Sequence, residues 1–142
     1  MIIASDAGAR IAGIIREELG KEVDLFSVSE RSGCVRIDSI TDFTLRHFGD
    51  YEAFVFIGAM GICVRAIAPC VTSKYADPAV VNVDATGHFV VSVLAGHVGG
   101  ANALTERLAR ILGAQPVVTT QSDNTGLWAL DLLGKENGWE IE

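Results

Sequence analysis

Residues 53–58 (Ala-Phe-Val-Phe-Ile-Gly) form an unbroken apolar run closed by a glycine, and no other stretch constrains the fold as tightly. A strand with one wet face alternates apolar and polar residues. A run without polar residues must be covered on both faces, as in a parallel sheet packed between helices. The segments around it alternate to match. Residues 1–4 read as the stub of an apolar strand, with Ser5 and Asp6 as candidate helix N-caps. Ile11, Ile14, Ile15 and Leu19 follow at helical spacing, and Gly20 ends that helix. Residues 23–28 predict a second strand. Residues 31–38 are either a loop or a short edge strand, and residues 42–48 predict a short helix.

Beyond the central run, residues 62–67 predict a helix ended by Pro69. Residues 79–84 and 88–94 read as two strands joined by the hairpin-type connection Ala85-Thr86-Gly87. Residues 102–112 predict a helix with Ala101, Leu104, Leu108, Ile111 and Leu112 on one face, ended by Gly113. Residues 115–119 predict a further strand and residues 125–135 a last helix. This alternation predicts a single α/β unit, a three-layer sandwich of flavodoxin/Rossmann-like kind with a mainly parallel sheet. Residues 53–58 should be central, and the hairpin should add one antiparallel pair.

Composition narrows the partners. Apolar residues make up 49% of the chain, enough for a core, and the formal net charge is −7. No Lys/Arg cluster exists for a phosphate backbone, so nucleic acid is excluded. No apolar run approaches the roughly 20 residues of a spanning helix, and no signal-peptide pattern opens the chain, so no membrane partner is expected and the cytoplasm is the expected location. Cys34, Cys63 and Cys70 lack CxxC spacing and read as reduced thiols filling the core rather than as metal ligands.

Four loops follow or precede strands and could carry chemistry. Gly58-Ala59-Met60-Gly61 opens a helix, where bare backbone N–H groups can meet an anion or simply make a tight turn. It is neither GxGxxG nor a Walker loop, so a nucleotide has weak support. In Lys74-Tyr75-Ala76-Asp77-Pro78, Lys74 is either a carboxylate ligand or a solvated surface lysine, and Asp77 can start a turn. Gly96-His97-Val98-Gly99-Gly100-Ala101-Asn102 places one histidine among Gly96, Gly99 and Gly100. His97 can serve as general base or acid, or rigidify the loop through a carbonyl, and Asn102 can cap the helix or donate to an anion. Thr119-Thr120-Gln121-Ser122-Asp123 offers hydroxyl donors and one carboxylate, Asp123, which can also be an N-cap. His47 and His88 have no comparable setting. If the strands are parallel, the loops after Gly58, Leu94 and Thr119 should converge on one pocket with His97 at its wall.

Taken together, residues 56–69 (FIGAMGICVRAIAP), 73–114 (from SKYADPAVV through GHVGGANALTERLARILGA) and 116–123 (PVVTTQSD) resemble the N-terminal region of the cobalamin biosynthesis protein G (CbiG) family. About half the chain takes part, in long ordered matches. The resemblance implies hydrolysis of cobalt-precorrin-5A in the anaerobic vitamin B12 pathway. The ring-A lactone opens and a two-carbon bridge leaves as acetaldehyde. It implies a cobalt-corrin tetrapyrrole as substrate, carrying its own cobalt, so that the protein binds no cofactor and no catalytic metal. Family members continue into a C-terminal domain, so residues 1–142 are expected to be the N-terminal and central α/β region of a longer protein, alone or fused to other corrin-pathway enzymes. Self-association is left open.

Lactone opening requires an activated water and a stabilised oxyanion. His97 is the candidate base. Gly58, Gly61, Gly96, Gly99 and Gly100 are candidate backbone contacts. Lys74 and Asn102 are candidate ligands for the substrate's acetate and propionate groups, and Thr119, Thr120 and Asp123 are further candidate substrate-binding residues. Three other classes compete: a non-catalytic corrinoid-binding module, an unrelated nucleotide-binding α/β domain, and an assembly domain in a multienzyme protein.

Overall fold

The computed structural model describes residues 1–3, 7–73, 75–96 and 99–120 of the chain. Among the described residues, seven strands and four α-helices, with one 3-10 turn at Gly20–Glu22, follow in the order β1 (Ile2–Ile3), α1 (Gly8–Leu19), β2 (Phe26–Ser27), β3 (Val35–Arg36), α2 (Ile40–His47), β4 (Ala53–Ile57), α3 (Met60–Ile67), β5 (Ala79–Val83), β6 (Phe89–Leu94), α4 (Ala101–Leu112) and β7 (Gln115–Val117). They form one sheet in the order β3-β2-β1-β4-β5-β6-β7. The apolar run 53–57 is therefore the middle strand. Every neighbouring pair is parallel except β5–β6. The order reverses between β1 and β4, the arrangement of a doubly wound α/β fold.

Why β4 needs no polar residue follows from its two faces. Val55 and Ile57 point into one core cluster with Ile11, Ala12 and Ile15 of α1 and Leu108 and Ala109 of α4. Phe54 and Phe56 point into the other, with Cys63, Ala66 and Ile67 of α3 and Phe48 just after α2. Alternate side chains of a strand face opposite ways, so a residue of either parity meets a helix layer. The result is the expected three-layer sandwich. Of the residues that helical spacing predicts, Ile11 and Ile15 in α1 and Ala101 and Leu108 in α4 are fully buried, while Ile14, Leu19, Leu104, Ile111 and Leu112 are half-buried; the buried faces are completed by the smaller residues Gly8, Ala12, Asn102, Thr105 and Ala109.

Element limits differ in instructive ways. β2 holds two ladder residues where six apolar-rich positions predict a longer strand, because its partners β1 and β3 offer only two each. The 31–38 segment resolves as an exposed edge strand. Helix α2 starts at Ile40, earlier than residue 42, because the Ser39 hydroxyl accepts a bond from the Asp42 N–H at 3.2 Å and caps it. The expected N-caps Ser5 and Asp6 and the expected helix over 125–135 lie outside the described residues.

The hairpin is organised by Asp84. One carboxylate oxygen accepts from the His88 and Phe89 N–H groups at 2.8 and 2.6 Å, and the other from the Thr86 N–H at 3.2 Å and the Thr86 hydroxyl. Burial of the carboxylate raises its pKa, but these bonds outweigh it and hold the group below its ordinary value.

Candidate functional site

The antiparallel β5–β6 pair decides where the loops lie. Val83 pairs with Val90 and Val80 with Leu94, so the carboxyl end of β6 sits at the amino ends of β4 and β5. β7 runs parallel to β6, which brings Thr119 and Thr120 out at the same edge. The segment 72–78 enters β5 there as well. The described residues of the 72–78 connection, Gly96 and Gly99 to Asn102, and Thr119 to Thr120 therefore share one edge of the sheet.

Gly58 and Gly61 do not join them, which corrects the expected convergence. The Gly58 N–H donates to the Val83 carbonyl at 2.9 Å, at the carboxyl end of β5. The Asn82 amide beneath donates to the Gly58 carbonyl at 3.2 Å. A strand of this length spans about 15 Å, and that distance separates this turn from the other three loops. The physical reason is the hairpin. One antiparallel reversal sends the carboxyl ends of all later parallel strands to the opposite edge, so loops after Gly58 and after Leu94 cannot be neighbours. Asn82 had a sequence signal, as the polar residue in the otherwise apolar Ala-Val-Val-Asn-Val strand.

The 95–102 loop is tightly built. Ala95 adopts φ 57°, a left-handed conformation unusual for a residue with a Cβ. Its carbonyl accepts from the Ala101 N–H at 3.2 Å, and the Gly96 carbonyl accepts from the Asn102 N–H at 3.0 Å. A Cβ on Gly99 would stand 2.5 Å from that of Ala95, and one on Gly96 would stand 2.6 Å from Asn102 Oδ1. Only glycine allows the chain to pack against itself so closely. His97, Val98, Lys74 and Asp123 lie outside the described residues.

Asn102 is the hub of this edge. Its side-chain oxygen accepts from the Ser92 hydroxyl at 2.6 Å and its amide donates to Thr120 Oγ1 at 2.7 Å. The residue is 7% exposed. It thus ties β6, α4 and the exit of β7 together, with its amide turned inward. Ser92 had no signal in the sequence, because a serine in a strand reads as a neutral ladder residue.

The segment before β5 is equally ordered. Asp77 is buried and accepts from the Thr72 N–H, the Thr72 hydroxyl at 2.8 Å and the Ser73 N–H at 3.2 Å. The Ala76 and Asp77 N–H groups donate back to the Ser73 carbonyl at 3.1 and 2.9 Å. Asp77 therefore holds a turn, as its position before Pro78 suggests.

Farther along the same edge, beneath β2, β1 and β4, lies a cavity of about 380 Å³. Phe26, Phe54, Val55 and Leu104 supply apolar walls, and Glu22, Asp24, Asp50 and Glu52 an acidic rim. Tyr51 donates to Asp24 at 3.1 Å, and burial together with that carboxylate raises the phenol above its ordinary pKa. Such a rim repels anions. Among the described residues, the part of the edge under β5, β6 and β7 presents hydroxyls and backbone instead, its one carboxylate, Asp77, being engaged by its own turn.

Two of the three histidines are explained locally. His47 pairs with Asp50 at 2.8 Å, and His88 Nδ1 lies 3.1 Å from the Thr86 hydroxyl in the hairpin. Cys63 is fully buried in the core beneath α3, and desolvation pushes its thiol up to about 12, so it is a packing residue.

Fold and site together define a doubly wound α/β domain with a polar, glycine-lined edge. Residues 42–123 match the family model described as cobalamin synthesis G N-terminal, and the chain belongs to that family. A cobalt-precorrin-5A hydrolase of Salmonella typhimurium is 56% identical over 86 residues, covering 61% of this chain and 24% of that protein. One of Priestia megaterium is 48% identical over 95 residues, covering 67% of this chain and 25% of its own. The chain thus spans about a quarter of the length of these relatives. A crystal structure of a cobalamin biosynthesis protein G homologue from Sulfolobus solfataricus superposes with a TM-score of 0.62 at 26% identity, over 88% of this chain and 38% of that one.

Proposed function

We propose that this chain is the N-terminal α/β part of a cobalt-precorrin-5A hydrolase of cobalamin biosynthesis, acting in the cytoplasm. The observation that carries this reading is the 56% identity to a protein of that name. The family-matched residues 42–123 also include all three loops of the amino edge. No described helix is long and apolar enough to cross a membrane, in keeping with a water-borne substrate.

The substrate is a cobalt corrin bearing several carboxylates. It lies over the β5–β7 part of the edge, away from the acidic rim. His97 acts as general base on the water that adds to the ring-A lactone carbonyl. Backbone N–H groups of Gly99 and Gly100 stabilise the oxyanion before the lactone C–O bond breaks. The imidazolium returns the water's proton to the leaving lactone oxygen, and the neutral imidazole then takes the proton of the freed hydroxyl. As acetaldehyde leaves, the electron pair of the broken C–C bond passes into the macrocycle, which takes up a proton. Lys74, Thr119, Thr120 and Asp123 contact peripheral groups. Cobalt arrives as part of the substrate, and the protein holds no cofactor of its own.

His97→Ala in the full-length parent tests this. Acetaldehyde release per folded molecule should fall by roughly 100-fold or more, the scale of a positioned base, with corrinoid affinity within a few-fold. Near-wild-type turnover removes His97 from the mechanism. The quarter-length coverage favours one second reading, in which this domain holds the macrocycle and the remainder of the protein performs the chemistry. A single-turnover acetaldehyde assay with this chain alone and with the full-length parent separates the two.

A further inference from the structure

Tyr75 is the most exposed large apolar residue described, at 73%, and Val71 in the same connection is 44% exposed. Single exposed aromatics are ordinary on a protein surface. This one stands among residues joined by several hydrogen bonds. The Tyr75 N–H donates to the Ser73 hydroxyl at 3.1 Å. The turn beneath it is closed by the two backbone bonds to the Ser73 carbonyl and clamped by the buried Asp77 carboxylate. That turn leads directly into Ala79, whose backbone nitrogen lies 3.5 Å from where a Gly99 Cβ would be. Tyr75 thus stands, exposed, in the hydrogen-bonded connection that enters β5 at the edge where the substrate is placed.

From this arrangement we infer that Tyr75 is a substrate-binding residue that stacks on the flat face of the corrin macrocycle. The inference rests on the functional reading above and adds a residue to it. A macrocycle offers a broad apolar face ringed by carboxylates. Its rim suits the hydroxyls and backbone N–H groups of the 95–102 and 118–120 loops, and its face requires an apolar or aromatic platform. The Asp77 clamp orders the turn before the ligand arrives, which lowers the entropic cost of ordering it on binding. Aromatic stacking on a planar ring system is sequence-independent and strong for its area.

The test is an anaerobic visible-absorbance titration of cobalt(II) cobyrinic acid, a cobalt corrin with free carboxylates and an open axial face, with the full-length parent as wild type, Tyr75→Ala and Tyr75→Phe. Melting curves are taken on the same samples. Tyr75→Ala should weaken binding roughly 10-fold or more, the scale of one lost stacking platform. Tyr75→Phe should bind within about twofold of wild type, because it keeps the ring. Both should melt with the wild type, because the side chain is largely outside the core. Equal affinity of Tyr75→Ala and wild type overturns the inference and leaves the functional reading standing. Loss of affinity in Tyr75→Ala that tracks a lowered melting temperature overturns it too. Absence of any saturable shift with wild type overturns the functional reading, and the stacking role with it.

Discussion

Asn102 shows how a single side chain can join three elements of a fold. Sequence reasoning offered it as a helix cap or an anion donor. In the fold its oxygen accepts from Ser92 and its amide donates to Thr120, both half-buried. Its work is therefore to set the distance between the 95–102 loop and the exit of β7. Asn102→Ala removes both bonds. A stability loss of about 1–2 kcal/mol is expected, from two part-buried bonds at the usual net worth. Urea denaturation of the variant measures it. A loss below about 0.5 kcal/mol would mean that the network is not holding the edge together.

At the scale of elements, the β5–β6 hairpin carries the consequence. Asp84 organises its turn as a carboxylate, and the sign of its pH effect follows. Its folded pKa lies below its unfolded value, so its contribution to stability is present above the ordinary carboxylate pKa and is lost as pH falls through the depressed folded value. Asp84→Ala should cost about 1 kcal/mol near pH 7, with solvent screening keeping it modest for a partly exposed group. The difference from wild type should shrink on acidification below about pH 4, the ordinary carboxylate range. Thermal melts of both proteins from pH 7 to pH 3 provide the check, and a constant difference across that range would show that the charge is not what the turn uses. The hairpin itself was legible from Ala85-Thr86-Gly87 between two apolar runs. Asp84 as its organiser was not, because one aspartate before a turn looks like any other until the His88 and Phe89 N–H groups close on it.

For the whole molecule, the two edges of the sheet separate two sets of glycines. Gly61 opens α3 at the carboxyl edge of β4, where an added Cβ would meet only the Arg65 guanidinium, at 3.4 Å. Gly61→Ala should therefore leave the corrinoid affinity of the chain within about twofold, the tolerance expected of a surface change far from the site. The same absorbance titration measures this, and a tenfold loss would bring the carboxyl edge back into the site. The sequence alone determined the class of fold and its central strand. A run such as Ala-Phe-Val-Phe-Ile is stable as a strand only with apolar cover on both faces, and that is a local property of the pattern. It determined the helical stripes, the hairpin and, through long ordered motifs, the family. Tertiary structure alone decided which loops are neighbours, that Asn102 is buried, and that Tyr75 stands exposed at the edge where β5 begins. These depend on strand direction, summed over the sheet, and on contacts between residues far apart in the chain. No local pattern carries either.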